Sequence, residues 1–203
     1  MDEKQAKEIL DNLYKNVDGR SLSLVKPNSP EFVSKSFTYG EVLFDSFIQI
    51  LKEADPKEGS VFLDCGSGIG KAVFIAHLLY NFSVAAGIEL LDSLYQASQL
   101  ALDRYEKDIR PQLGSEFNKK KIKFVHGDML DIDFTPIDLV FVPSTCFQED
   151  LMRGLIEPMN DMRPGTKAFS VSKILCNPNF DLYKEKVFDF SWGKGTVYYH
   201  IRV

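Results

Sequence analysis

Hydrophobic positions change their period several times along this chain. Ile9, Leu10, Leu13, Tyr14 and Val17 recur at helical spacing, so residues 2–17 predict an amphipathic helix. Residues 18–36 carry Pro27, Pro30 and several Ser and Asn, which predicts a long ordered loop or lid. Loops of that length in a compact domain usually serve function. A helix is expected over 39–54, stopped by Asp55-Pro56. Short β-rich runs then alternate with helical ones. Strands are predicted at 61–65, 84–90, 122–128, 137–142 and 167–173, with helices at 71–81, 91–109 and about 147–162 and a polar loop at 111–120. The tail differs in kind: 186–192 and 196–203 are β-rich runs joined by Gly193-Lys194-Gly195, a hairpin signal.

Alternating strands and helices imply an α/β fold with a doubly wound, mostly parallel sheet, its ligand beyond the strand carboxyl ends. A terminal antiparallel hairpin is unusual for a dinucleotide dehydrogenase. It is the usual ending of the class I methyltransferase (Rossmann-like) sheet. The 203 residues are read as one domain, with the short N-terminal helix and lid loop (1–36) part of the same unit as 37–203.

Composition narrows the function. Hydrophobic residues make up 44%, enough for a proper core. Lys plus Arg number 24 against 29 Asp plus Glu, and this net charge of −5 argues against a broad nucleic-acid-coating surface. Lys119–Lys121, the only basic run, is read as a solvated loop. No apolar run approaches the ~20 residues of a membrane span, and the charged N-terminus does not resemble a signal, so a cytoplasmic or nuclear location is expected. Cys65, Cys146 and Cys176 and His77, His126 and His200 are scattered, and no metal site is expected. Cys146 is read as core packing and His126 as a structural strand-end residue.

The sharpest local signal is Asp64-Cys65-Gly66-Ser67-Gly68-Ile69-Gly70, after a strand and opening a helix. Glycines let the backbone turn tightly and approach a ligand. Asp64 places a carboxylate where a pyrophosphate would be repelled and an ammonium favoured, which suits the amino-acid end of S-adenosylmethionine. Glu89 ends the second predicted strand, where it can accept from ribose hydroxyls. Asp128 ends the third, placed for an adenine amino group, with Met129 on the ring.

Phe37-Thr38-Tyr39-Gly40-Glu41, FLDCGSGIGKAVF, GIELLDSLYQASQLALDRYEK, FVHGDML, FVPSTCF and SWGKGTVYYH occur in one order over roughly 32–203. Together they resemble the disruptor-of-telomeric-silencing (Dot-one-like) lysine methyltransferases. That family keeps Tyr-Gly-Glu ahead of Asp-x-Gly-Ser-Gly-x-Gly and a late Ser-Trp…Tyr-Tyr. The resemblance implies an S-adenosylmethionine-dependent protein-lysine methyltransferase domain over 37–203, with S-adenosylhomocysteine as product. It implies that Tyr39 and Glu41 close over the cofactor and that Asp64, Gly66, Ser67, Gly68, Gly70, Lys71, Glu89, Asp128 and Met129 form its site. Ser144, Phe147, Trp192 and the pair Tyr198 and Tyr199 would line the target-lysine channel, one tyrosine inward by strand alternation.

One motif departs from the family. Its usual Asn-Asn-Phe-Ala-Phe is here Pro143-Ser144-Thr145-Cys146-Phe147, hydroxyls in place of amide. No counterpart is found of the helical region and basic tail with which eukaryotic members engage nucleosomes. The expected partner is therefore a protein with an accessible lysine, a histone being one candidate. Three alternatives carry less of the pattern. For a methyltransferase of RNA or a small molecule, this chain lacks the Pro-Pro-aromatic motif that many amino-methylating nucleic-acid enzymes carry after the fourth strand; a non-catalytic cofactor-binding module would shed the glycines and acids, and a dehydrogenase needs GxGxxG.

Overall fold

The computed structural model describes residues 1–24 and 40–203, so Tyr39 and residues 25–36 of the expected lid lie outside the described residues. Five strands run parallel: β1 (Val61–Cys65), β2 (Val84–Glu89), β3 (Lys121–His126), β4 (Leu139–Val142) and β5 (Lys167–Val171). β7 (Gly193–Arg202) lies antiparallel against β5, and β6 (Phe180–Phe190) antiparallel against β7. The seven form one sheet in the order β3-β2-β1-β4-β5-β7-β6. This is the class I methyltransferase architecture: an α/β, mostly parallel sheet closed by an antiparallel hairpin.

Helices cover both sheet faces, which is why VFLDC and LVFV are almost continuously apolar. Alternation sorts their side chains. Phe62 and Phe141 join the cluster under α1 (Glu3–Leu13), α3 (Phe44–Ala54), α4 (Lys71–Leu79) and α5 (Asp92–Arg104). Leu63, Cys65, Val140 and Val142 face the other way, toward Met152, Leu155 and Met159 of α6 (Glu149–Met159). Phe47 of α3 seats itself among Phe62, Phe141 and Phe169, with ring centroids 6.4, 5.1 and 6.5 Å away. Ala72 to Leu78 of α4 are all buried, so this helix is apolar all round and held on every side.

Several boundaries differ from the sequence pattern, among them the start of β6, at Phe180 and not 186. The first helix stops at Leu13, and a second, α2 (Gly19–Ser23), opens the expected loop because Asp18 accepts from the Arg20 and Ser21 amides. α3 begins at Phe44, not 39, since the preceding residues are held extended: Val42 bridges Phe190, and Ser191 N donates to Glu41 O at 3.1 Å. The expected 91–109 helix widens after Arg104 into a π turn, Tyr105–Ile109, where Tyr105 hydroxyl lies 2.8 Å from His77 Nε2. The hairpin turns at Ser191-Trp192 between paired Phe190 and Gly193, so Gly193-Lys194-Gly195 belongs to β7.

Lys120 departs from the solvated reading of its run. It is 6% exposed, its Nζ 4.5 Å from the Phe117 ring centroid, and burial pulls its pKa down to about 8. Among the described residues no helix is long and apolar enough to cross a membrane.

Candidate functional site

A cavity of about 480 Å³ opens at the carboxyl ends of β1, β2 and β4. Strand order reverses there, because β1 has β2 on one side and β4 on the other. The glycine turn forms its floor. Gly66 and Ser67 amides both donate to Ile88 O at 2.9 Å, which ties the turn to the end of β2. Gly70, at φ 90°, opens α4, and a Cβ on it would meet Phe124 at 2.4 Å, so only glycine fits.

Four carboxylates and one ammonium line this cavity among the described residues. Glu89 is 8% exposed and grips backbone with both oxygens: Oε2 accepts from Gly68 N at 2.8 Å and Oε1 from Leu91 N at 2.9 Å. Burial outweighs these amides and raises its pKa above the usual carboxylate value. Asp64 is 2% exposed, and its Oδ1 has no hydrogen-bond partner among the described residues. Burial first, and the nearby Glu89 charge second, push its pKa well above the ordinary range. Asp128 accepts from Leu130 N at 2.9 Å and so caps a single 3-10 turn. Lys71 Nζ lies 2.6 Å from Glu41 Oε2 and 5.5 Å from the Tyr14 ring centroid. An unpaired buried carboxylate suits a cationic ligand group.

Apolar side chains share the lining. Phe141, Phe147, Leu151 and Trp192 contribute to it. The loop after β4 is held by three consecutive residues at the carboxyl end of β5. Ser144 Oγ donates to Val171 O at 2.8 Å, Thr145 Oγ1 lies 3.1 Å from Ser172 Oγ, and Lys173 Nζ donates to Phe147 O. Trp192 stacks on Phe190 at 4.6 Å and roofs Gly40.

Of the residues singled out in the sequence, Glu41, Asp64, Gly66, Ser67, Gly68, Lys71, Glu89, Asp128, Met129, Phe147 and Trp192 line the cavity. Gly70 stands behind the turn. Three others lie elsewhere. Ser144 is fully buried, its hydroxyl spent on Val171. Tyr199 is 1% exposed on the α3 side, its hydroxyl 3.4 Å from Ile50 O and its ring stacked near Phe169. Tyr198 points to the other face of β7, paired with Ser170 and Glu185. Neither tyrosine reaches the cavity wall.

Among the lining residues that the reading of the sequence missed are Gly40, Phe141, Thr145, Cys146, Gln148 and Leu151. Cys146 is half-buried in the cavity wall rather than in the core. Its position directly after a strand carboxyl end was the available signal. His126 stacks on Tyr95 at 5.0 Å, and its Nε2 lies 3.1 Å from Leu90 O, a strand-end support.

Residues 28–197 match the model of the family described as histone methylation protein DOT1. A Drosophila melanogaster histone-lysine N-methyltransferase, H3 lysine-79 specific, is 28% identical over 187 residues, which is 89% of this chain and 9% of that protein. Its Eremothecium gossypii namesake is 23% identical over 146 residues, 68% of this chain and 25% of that one. The chain thus spans a quarter or less of the length of these relatives. Among solved structures, an RNA methyltransferase from Salinibacter ruber in complex with S-adenosyl-L-homocysteine superposes with a TM-score of 0.59. It is 18% identical, over 77% of this chain and 89% of that one. TrmN from Thermus thermophilus also gives 0.59 at 20% identity, over 77% and 48%. At such identities the superpositions speak for the fold alone.

Proposed function

This chain belongs to the DOT1 histone methylation family, and from that premise we propose that it transfers a methyl group from S-adenosylmethionine to a lysine ε-amine of a protein. The observation that carries this reading is Asp64: a buried carboxylate oxygen without a hydrogen-bond partner among the described residues, in the wall of a cavity at the sheet's switch point. An α-ammonium supplies the missing charge. The rest of the lining fits the same cofactor. Glu89 keeps lone pairs for ribose hydroxyls beyond its two amides, and Asp128 with Met129 suits an adenine. The cavity volume falls within the ~300–1,000 Å³ usual for small-molecule sites.

When bound, the cofactor supplies an electrophilic methyl on a sulfonium. The protein's own work is alignment and water exclusion. A free lysine titrates near ~10.4 and is no nucleophile while protonated. Phe147 and Trp192 would desolvate the incoming ε-ammonium and so favour its neutral form. Alignment of a neutral amine asks for no covalent intermediate on the protein, and released protons leave through water at the open mouth.

The substrate is a protein with an accessible lysine. Relatives named for H3 lysine 79 make a histone the first candidate, and a histone substrate puts the enzyme in the nucleus. Four carboxylates on the lining disfavour a polyphosphate backbone there. The test is methyl transfer from labelled S-adenosylmethionine into nucleosomes and, separately, a cell lysate, each then split between protease and nuclease. Protease-sensitive label that disappears with Glu89→Ala supports the proposal. Nuclease-sensitive label overturns it.

A further inference from the structure

Three glycines of the turn stand at positive φ: Gly66 at 86°, Gly68 at 56° and Gly70 at 90°. Glycine has many other conformations open to it when nothing holds it, so ordering a loose turn would cost binding energy. On its amide side the turn is tied down by Ile88 O and Glu89 Oε2. On its carbonyl side the tie comes from far away in the chain. The hydroxyl of Tyr14, the residue that ends α1, donates to Ile69 O at 2.7 Å.

Tyr14 is 8% exposed and Ile69 1%, so water does not replace this bond when it is lost. Burial first, and the Glu41 charge second, raise the Tyr14 pKa, which keeps the hydroxyl protonated and a donor. The Tyr14 ring stands edge-on to Phe74 of α4 at 6.1 Å. Ile69 and Lys71 line the cavity, with Tyr14 behind them. α2 is tied in the same way. Ser93 Oγ donates to Leu22 O at 2.8 Å, and Ser93 lies in sequence between the lining residues Leu91 and Leu94. Both helices precede residue 28, where the family match begins, so that match assigns them no part in the site.

We propose that Tyr14 is a positioning residue of the cofactor site: by fixing the Ile69 carbonyl it holds the glycine turn in its ligand-ready shape and couples the docking of α1 to cofactor binding. This inference rests on the S-adenosylmethionine reading above.

Calorimetry with S-adenosylhomocysteine on two variants tests it. Tyr14→Phe keeps the ring and its packing and deletes only the donor. Affinity is expected to fall about fivefold, the worth of a neutral hydrogen bond. Arg104→Met removes the bond from Arg104 Nη1 to Leu13 O, which anchors the same end of α1 to α5 instead of to the turn. It should change affinity by less than about twofold. A loss with Tyr14→Phe no larger than with Arg104→Met makes Tyr14 a structural residue and overturns the inference. Wild-type protein gives the reciprocal reading, because coupling acts equally in both directions. S-adenosylhomocysteine should slow amide exchange in α1 more than in the amino-terminal half of β6, and equal slowing in the two also overturns the inference. Wild-type protein that does not bind S-adenosylhomocysteine overturns the cofactor reading itself, a separate result.

Discussion

The indole of Trp192 lies so close over Gly40 that a Cβ there would stand 2.3 Å from its Cε3. Gly40 and Trp192 belong to distant parts of the chain, brought together because Glu41 N donates to Ser191 Oγ at 2.9 Å and Val42 bridges Phe190. The segment before α3 therefore carries the hairpin tip, and with it one wall of the cavity.

Gly40→Ala should push the indole off its seat. Trp192 is the chain's only tryptophan, so its fluorescence reports the displacement directly. A red-shifted emission with methyl transfer reduced by about tenfold is expected, the scale for misplacing a group that positions substrate. Unchanged emission would mean that Gly40 does not fix the ring.

Glu89→Gln should loosen the glycine turn. An amide side chain has one acceptor oxygen, so either Gly68 N or Leu91 N loses its partner. The cost is about 1–3 kcal/mol of stability for a buried donor left unsatisfied. Thermal unfolding should fall accordingly, and S-adenosylhomocysteine affinity should fall with it. A variant that melts as wild type would show that the two bonds carry no stability.

Asp64 gives the site a pH dependence whose sign is fixed. Burial and Glu89 raise its pKa when no ligand is present, so the folded protein holds this proton more tightly than the unfolded chain. Ligand-free stability should therefore decline as pH rises from the ordinary carboxylate value toward the raised one. Ligand affinity should run the other way, rising with pH until Asp64 is ionised, with a proton released on binding. Calorimetry in buffers of different ionisation enthalpy measures that proton. In Asp64→Asn, both the release and this share of the stability slope should vanish. Glu89, also raised, accounts for any slope that persists.

Tyr199→Phe should leave methyl transfer within about twofold of wild type, the small effect of a change away from the site. Its hydroxyl makes one long contact, to Ile50 O, on the side of the sheet packed under α3. A loss of activity without a change in melting would bring Tyr199 back into the catalytic site.

These residues show where the sequence was legible. The succession of strands along the chain up to β5 followed from apolar runs between helical periods, and the Asp64–Gly70 turn was marked by its glycines. Glu89 and Asp128 stood at strand ends, where a doubly wound sheet collects its ligand contacts. Orientation at the hairpin was not legible. Adjacent Tyr198 and Tyr199 offer alternation two equal registers, and the β6–β7 pairing shifts register between Leu182 and Lys184. Nor did the turn's position follow from its glycines, because Gly193, at φ 125°, begins the returning strand instead of forming the loop. Ser144 looked like a channel residue until its hydroxyl proved to be spent on Val171 O. A one-dimensional pattern carries no information about which acceptor a hydroxyl finds.

The central claim is the chemical identity of the methyl acceptor. Nucleosomes labelled with radioactive S-adenosylmethionine by the wild-type chain should be hydrolysed to free amino acids and nucleosides and separated chromatographically. Label eluting with Nε-methylated lysine, and absent with Glu89→Ala, is the predicted result. Label eluting with a methylated nucleoside, or with any amino acid other than lysine, would contradict the account.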